Sequence, residues 1–151
     1  MSGSFAYEFR IISAMIKKLN CVLLVDDNSA DNYIHKRILT KYDCVESIVV
    51  RENGLEAMEY LKQNLNTSDY PDLIFLDINM PRMNGWEFLE AYADLTETDS
   101  STCLIFMLST SLNPDDEKRA KQNPYINSFM NKPLASESLD AIFNQYFHDN
   151  V

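Results

Sequence analysis

A short apolar run that ends in an aspartate and is followed at once by turn-forming residues most limits what this chain can fold into. Residues 73–85 read LIFLDINMPRMNG. The four apolar residues at 73–76 are too few to span a membrane and too uniform for a half-exposed strand, so they predict a strand buried on both faces. The proline and the Asn84-Gly85 pair that follow predict a loop and then a new helix. Asp77 is therefore expected either to face a ligand at the carboxyl end of a parallel strand or to cap the next helix.

The same succession of apolar strand, polar loop and amphipathic helix recurs along the chain. Strands are predicted at residues 21–25, 47–50, 73–76, 103–108 and 127–130. Apolar residues at helical spacing predict the buried faces of four helices: Ile34, Ile38 and Leu39; Leu55, Met58 and Leu61; Phe88, Leu89 and Tyr92; and Leu139, Ile142, Phe143 and Phe147. Short strands that alternate with helices predict a parallel sheet covered on both faces, which is an open doubly wound α/β domain.

Local signals refine three of the connections. Asn53-Gly54 predicts a turn before the second helix, and the third helix is expected to begin at about Trp86. Asn113-Pro114 predicts the start of the fourth helix. Proline suits the first helical turn, and the two aspartates that follow it suit the positive end of the helix dipole.

Length and charge narrow the class of protein. With 151 residues, of which 46% are hydrophobic, the chain is long enough for one well-buried domain and too short for two. Its 13 basic and 23 acidic residues give a formal charge of −10, which repels nucleic-acid phosphates and anionic lipids. We therefore expect no nucleic-acid partner and no membrane partner. No run reaches the roughly 18 apolar residues of a membrane span, and no signal-peptide core precedes the first strand.

The cysteines, the histidines and the first residues of the chain do not suggest a site. Cys21, Cys44 and Cys103 are odd in number and lack zinc-site spacing, so we expect reduced thiols in a cytoplasmic protein. His35 and His148 are isolated and are expected to be structural. Residues 1–18 carry apolar residues at helical spacing. They are expected to form an N-terminal extension, disordered or added to the natural chain, before a domain at residues 19–151.

Polar side chains follow four of the predicted strands, at the edge where the carboxyl ends of parallel strands meet. They are Asp26 and Asp27, Asp77, Ser109 and Lys132. Three neighbouring carboxylates repel one another and raise their pKa values unless a cation compensates, and oxygen ligands at an open site suit Mg²⁺. The Lys132 ammonium can pair with a carboxylate at rest and with a phosphoryl oxygen later. The set predicts Mg²⁺-assisted phosphoryl transfer to a carboxylate oxygen.

Four short motifs carry a family resemblance. VDDN at residues 25–28, LDINMP at 76–81, STS at 109–111 and KP at 132–133 resemble the receiver domain of two-component response regulators, over about residues 19–147. The resemblance implies a flavodoxin-like, CheY-like sheet of five parallel strands in the order 2-1-3-4-5. It also implies that Asp77 is the phospho-acceptor, that Asp27 binds Mg²⁺ directly, and that Asp26 does so through water.

The same resemblance assigns the remaining site residues and the partners. Asn79 is expected to bind Mg²⁺ through its backbone carbonyl, and Lys132 to contact the phosphoryl group. Ser109 is expected to move toward the phosphoryl group, with Phe129 as the aromatic switch. The implied protein is a single-domain regulator that accepts a phosphoryl group from a sensor histidine kinase or a histidine phosphotransfer protein. It would then signal to an unknown protein target through its own surface.

Three residues depart from the commonest family pattern. Ser109 stands where Thr is frequent, which keeps the hydroxyl group but loosens its rotamer preference. Thr110 stands where a small residue is usual, so its bulk is expected to restrict access to Asp77. Phe129 stands where Tyr is common, so packing alone would drive its inward movement.

Two other classes share parts of this pattern. An aspartate-nucleophile phosphohydrolase of the haloacid dehalogenase type also uses Asp, Ser or Thr, Lys and Mg²⁺. Such enzymes carry a second Asp two residues after the nucleophile, where this chain has Asn79, which cannot shuttle a proton. A receiver-like interaction module that is never phosphorylated is the second alternative, and the full acidic set argues against it.

Overall fold

A computed structural model describes residues 18–98, 103–110 and 113–147. Within these residues five strands alternate with five helices. The elements are β1 (Leu19–Val25), α1 (Ser29–Tyr42), β2 (Val45–Arg51), α2 (Gly54–Gln63), β3 (Leu73–Asp77), α3 (Gly85–Thr98), β4 (Leu104–Ser109), α4 (Pro114–Gln122), β5 (Ser128–Asn131) and α5 (Ser136–Tyr146). The predictions for the N-terminal apolar stripe, for Ser111 and for His148 lie outside the described residues.

The described strands form a parallel sheet in the order β2-β1-β3-β4-β5, which confirms the predicted fold class and strand order. Asp77 at the end of β3 pairs with Leu108, and Ser109 at the end of β4 pairs with Asn131. Because all the pairings are parallel, the carboxyl ends of the strands lie at the same edge of the sheet. The polar residues that follow the strands are therefore brought together at that edge.

Side chains of the central strand β3 alternate between two cores. Ile74 and Leu76 belong to a core that α2, α3 and α4 close, whereas Leu73 and Phe75 belong to a core closed by α1 and α5. All four side chains are at most 2% exposed. Burial of one such side chain contributes about 2 kcal/mol to folding. The prediction that this strand is buried on both faces is confirmed.

In two helices one residue of the predicted apolar face is exposed, although other residues of that face are buried. The buried residues of α1 are Asn32, His35, Leu39 and Tyr42, while Ile34 is 42% exposed. In the first turn of α2, Leu55 is 40% exposed, although Met58 and Leu61 are buried as predicted. The predictions that Ile34 and Leu55 are buried were wrong. In α1 the buried stripe includes the polar side chains of Asn32 and His35, which an apolar pattern does not predict to be buried. The face predicted for α3 is buried, as are Leu139, Ile142 and Phe143 of α5, whereas Phe147 follows the end of α5 and is partly buried.

The turn predicted at Asn53-Gly54 is the start of α2 itself. The Asn53 side chain caps the helix by accepting a hydrogen bond from the backbone N–H of Glu56 at 2.9 Å. The Gly54 N–H donates to the Met83 carbonyl oxygen at 2.9 Å, and a Cβ at Gly54 would lie 2.7 Å from that oxygen. Only glycine allows so close an approach, so this contact fixes the loop after β3 against the start of α2.

The thiols behave as core groups. Cys21 and Cys44 are buried and Cys103 is half-buried, and all three are free cysteines. Burial raises the pKa of the Cys44 and Cys103 thiols to about 12, so both stay protonated at neutral pH. No helix in the described part of the chain combines the length and the apolar character that crossing a bilayer requires.

Candidate functional site

The first acidic residues of the site lie where β1 passes into α1. Asp26 is buried, and its side chain accepts a hydrogen bond from the Asn28 N–H at 2.9 Å. Asn28 caps α1 by accepting from the Asp31 N–H at 3.0 Å. The Asn32 side chain donates to the Asp26 carbonyl oxygen at 2.8 Å. These bonds hold the first turn of α1 against the end of β1 and leave the Asp27 carboxylate exposed beside Asp26.

Asp77 ends β3, and the helix that follows is capped by another residue. Asn84 accepts a hydrogen bond from the Glu87 N–H at 2.9 Å, and the Glu87 carboxylate accepts from the Asn84 N–H at 3.0 Å. The Gly85 N–H donates to the Ile78 carbonyl oxygen at 2.8 Å. The alternative that Asp77 only caps a helix is therefore wrong. Its carboxylate is left to face the carboxyl edge of the sheet.

Asp26, Asp27 and Asp77 form a carboxylate cluster. Each offers one carboxylate oxygen, and these oxygens all lie within 4.8 Å of one another. Hard oxygen donors at this spacing, at an edge that opens to water, fit the requirements of Mg²⁺. The residues present are therefore suited to the metal that the sequence predicts.

The pKa of Asp77 is raised from its ordinary value of 3.8 to about 6. Burial of the carboxyl group is the main cause, and the negative charge of Asp26 comes second, while Lys132 opposes the shift. The sequence predicted a raised pKa from repulsion among carboxylates. Repulsion contributes, but desolvation outweighs it, because β3 is the central strand and its end is partly covered.

Lys132 follows β5 and its ammonium group lies among carboxylates. Its Nζ is 2.6 Å from an Asp26 oxygen, 3.0 Å from Asp31 and 3.3 Å from Asp77. Burial alone would lower the pKa of Lys132, but hydrogen bonds to Asp26 and Asp31 and the charge of Asp77 raise it above its usual value of 10.5. Lys132 is therefore a fixed positive charge, as the sequence predicts.

The remaining predicted residues lie around this centre. Ser109 is buried at the end of β4, and its carbonyl oxygen accepts from the Lys132 N–H at 2.9 Å. Phe129 lies on β5 and is partly buried against the core that α2, α3 and α4 close. Asn79 is exposed in the loop after β3, two residues beyond Asp77, and Thr110 is exposed after β4. Their proposed roles stay predictions.

Sequence reasoning missed Asp31. An acidic residue in the first turn of a helix is ordinarily explained by the helix dipole, so nothing in the pattern marked it. Its partner Lys132 lies 101 positions further along the chain, and no local pattern links the two residues.

Comparison with known proteins agrees with this geometry. Residues 22–144 match the response regulator receiver domain family. The chain is 31% identical over 125 residues to response regulator Rcp1 of Synechocystis sp., covering 81% of this chain and 80% of that protein. The fold is similar to a two component response regulator from Cytophaga hutchinsonii, with a TM-score of 0.78 and 29% identity over 85% of this chain and 97% of that one. It is also similar to the phosphorylated cyanobacterial phytochrome response regulator RcpA, with a TM-score of 0.62 and 29% identity over 84% and 90% of the two chains. The chain therefore belongs to the response regulator receiver domain family and has the phospho-accepting signalling role of that family.

Proposed function

We propose that Asp77 accepts the phosphoryl group, in a reaction that depends on Mg²⁺. The observation that carries this proposal is the meeting of three carboxylates and one buried ammonium at the carboxyl edge of the sheet. The proposed donor is a histidine of a sensor kinase or of a phosphotransfer protein, because two-component systems supply their regulators in this way.

The chemistry assigns a role to each group. An ionised Asp77 oxygen attacks phosphorus, the bond from phosphorus to the donor nitrogen breaks, and the leaving imidazole takes up a proton. With a pKa of about 6, Asp77 is mostly ionised at neutral pH and so is competent to attack. Lys132 donates hydrogen bonds to the phosphoryl oxygens. Asp26, Asp27, Asp77 and the backbone carbonyl of Asn79 would hold Mg²⁺, which supplies positive charge to the phosphoryl oxygens.

We further propose that Ser109 and Phe129 transmit the effect of phosphorylation from Asp77 to the protein surface. The Ser109 hydroxyl would contact the phosphoryl group, and Phe129 would move into the space that the β4 end vacates. The surface of α4, β5 and α5 would then change and bind the target. Residues 19–151 would act as the receiver unit, and the cytoplasmic location stays a prediction of the sequence.

The domain is proposed to act only on itself, by accepting and losing its own phosphoryl group. The haloacid dehalogenase alternative has little support, because Asn79 stands where that class needs a carboxylate to shuttle a proton. The alternative of an unphosphorylated interaction module does not explain why a nearly buried Lys132 lies among carboxylates at this edge of the sheet.

Acetyl phosphate with Mg²⁺ tests the assignment. Intact-mass measurement should find one acid-labile phosphoryl group on the wild-type chain and none on Asp77→Asn. Asp94→Asn, at an exposed position of α3, is the matched control and should be labelled normally. Undiminished labelling of Asp77→Asn would overturn the assignment. Repeated turnover of phosphate monoesters would favour the hydrolase.

A calorimetric titration with Mg²⁺ tests the ligands. Asp27→Ala should lose most of the affinity, because it removes a charged oxygen that water replaces only weakly. Asp26→Ala should lose less, since Asp26 is proposed to act through water. Unchanged affinity in Asp27→Ala would contradict the ligand assignment.

A further inference from the structure

Asp31 binds the site lysine although it is not part of the carboxylate cluster. Its carboxylate oxygen lies 3.0 Å from Lys132 Nζ, closer than the 3.3 Å that separates Nζ from Asp77. The cluster that could hold a metal comprises Asp26, Asp27 and Asp77. Asp31 thus contacts the site through Lys132.

The position of Asp31 is held by the backbone around it. Its N–H donates to the capping Asn28 side chain at 3.0 Å. The next residue, Asn32, is tied to the Asp26 carbonyl oxygen at 2.8 Å. The Lys132 side chain is 7% exposed and the Asp31 side chain is 25% exposed, so this ion pair is largely shielded from water. Pairing of this kind is stronger than at an exposed surface.

Other charged groups near Lys132 do not replace Asp31. His35 lies one turn further along α1 and is buried, and burial first and the charge of Lys132 second lower its pKa. His35 is therefore neutral at physiological pH and adds no charge. Asp26 is the remaining hydrogen-bond partner, at 2.6 Å from Nζ.

An ammonium group has three protons to donate. Asp26 and Asp31 both accept hydrogen bonds from Lys132, while the contact with Asp77 is a longer ion pair. The third proton remains available to Asp77, but the attraction of Asp31 acts on the position of Nζ, so a closer approach of Nζ to the group on Asp77 must overcome the pull of the Asp31 carboxylate.

We propose that Asp31 is a positioning residue that holds Lys132 back from Asp77 in the unphosphorylated state. This inference rests on the proposed function of Asp77. Two opposite effects follow from it. Loss of the Asp31 charge frees Lys132 to stabilise a phosphoryl group on Asp77. The same loss also weakens the binding of a divalent cation. Without the negative charge of Asp31, the positive charge of Lys132 is less neutralised and repels the cation more strongly.

The Asp31→Asn variant distinguishes these two effects from a general loss of folding. Asp43→Asn is the matched control, because Asp43 is an exposed acid at the other end of α1 and pairs with Lys18. In Asp31→Asn we expect the affinity for Mg²⁺ to fall about three- to tenfold. The affinity for beryllofluoride, a phosphoryl mimic, measured at saturating Mg²⁺, should rise by a similar factor. A variant that was only poorly folded would lose both affinities.

A third measurement needs no metal. In metal-free wild-type protein, the Lys132 ammonium protons should be observable by ¹H–¹⁵N NMR, because two carboxylates slow their exchange. In Asp31→Asn that signal should weaken or shift, and in Asp43→Asn it should not. Asp31→Glu keeps the charge and should restore both affinities toward wild type, which also provides a test if the asparagine variant folds poorly.

The outcomes distinguish this inference from the proposed function. A wild-type chain that is not labelled on Asp77 by acetyl phosphate would refute the proposed function. A labelled wild type with an Asp31→Asn variant whose two affinities are unchanged, or move in the same direction, would refute the positioning role alone. Equal effects in Asp43→Asn would also overturn it, because a general loss of negative charge would then explain the result.

Discussion

Replacement of Asp77 by asparagine should stabilise the metal-free protein at neutral pH, even though it removes the proposed acceptor. Burial, followed by the charge of Asp26, raises the pKa of Asp77 from 3.8 to about 6. A shift of this size corresponds to about 3 kcal/mol when the group is fully ionised, since one pKa unit is worth about 1.4 kcal/mol. The site opens to water and salt, so we expect about 1–2 kcal/mol of added stability after screening.

The stabilisation should depend on pH in one direction. Below pH 3.8 Asp77 is neutral in both the folded and the unfolded chain, so the wild type and the variant should not differ through this group. As the pH rises from 3.8 through about 6, the unfolded chain loses the proton first and the folded wild type becomes less stable. The difference should therefore be absent at low pH and complete at about pH 7.5.

Urea unfolding in a chelating buffer, at several values between about pH 4 and pH 7.5, measures the effect. Asp94→Asn serves as a control for the loss of one negative charge. Addition of Mg²⁺ should stabilise the wild type and reduce its difference from Asp77→Asn, because a ligand that binds only the folded state stabilises it. The reasoning is refuted if Asp77→Asn is no more stable than the wild type at neutral pH, or if the difference grows toward low pH.

Three further predictions concern the backbone contact beside Asp77, the helix caps and the Ser109 hydroxyl group. In Gly85→Ala the new Cβ would lie 2.5 Å from the Asp77 carbonyl oxygen, so the free energy of unfolding should fall by about 2 kcal/mol or more, and an unchanged urea midpoint would contradict this. Asn53→Ala removes a buried helix cap and should cost about 1–2 kcal/mol, more than Asn113→Ala at the exposed cap of α4, as measured by thermal and urea unfolding of both variants. Ser109→Ala should still be phosphorylated but should show smaller amide chemical-shift changes over residues 113–147 on addition of beryllofluoride. Equal changes in wild type and variant would show that the Ser109 contact does not couple the site to that surface.

The sequence by itself determined the alternation of strands and helices and the edge at which the site lies. Short apolar runs that end in polar residues and alternate with helical patterns predict a parallel sheet, and such a sheet collects the residues after its strands at one edge. Asp26, Asp77 and Lys132 could be assigned to a common site for this reason. The start of α4 at Asn113-Pro114 was also predictable, because capping depends on neighbouring residues.

The tertiary structure decided which side chains face inward and which groups pair. The apolar spacing of α1 favoured Ile34, yet His35 is the buried residue, since contact with the sheet and α5 selects the inward stripe. The cap of α3 is Asn84 rather than Asp77, and burial outweighs repulsion in raising the pKa of Asp77.

The pairing of Asp31 with Lys132 is the clearest case. The two residues are 101 positions apart, and their contact depends on how α1 packs beside β1 and on where β5 ends. Periodicity and local motifs describe the chain over a few residues at a time. A contact between distant side chains is set by the packing of whole elements, so only the folded structure could reveal it.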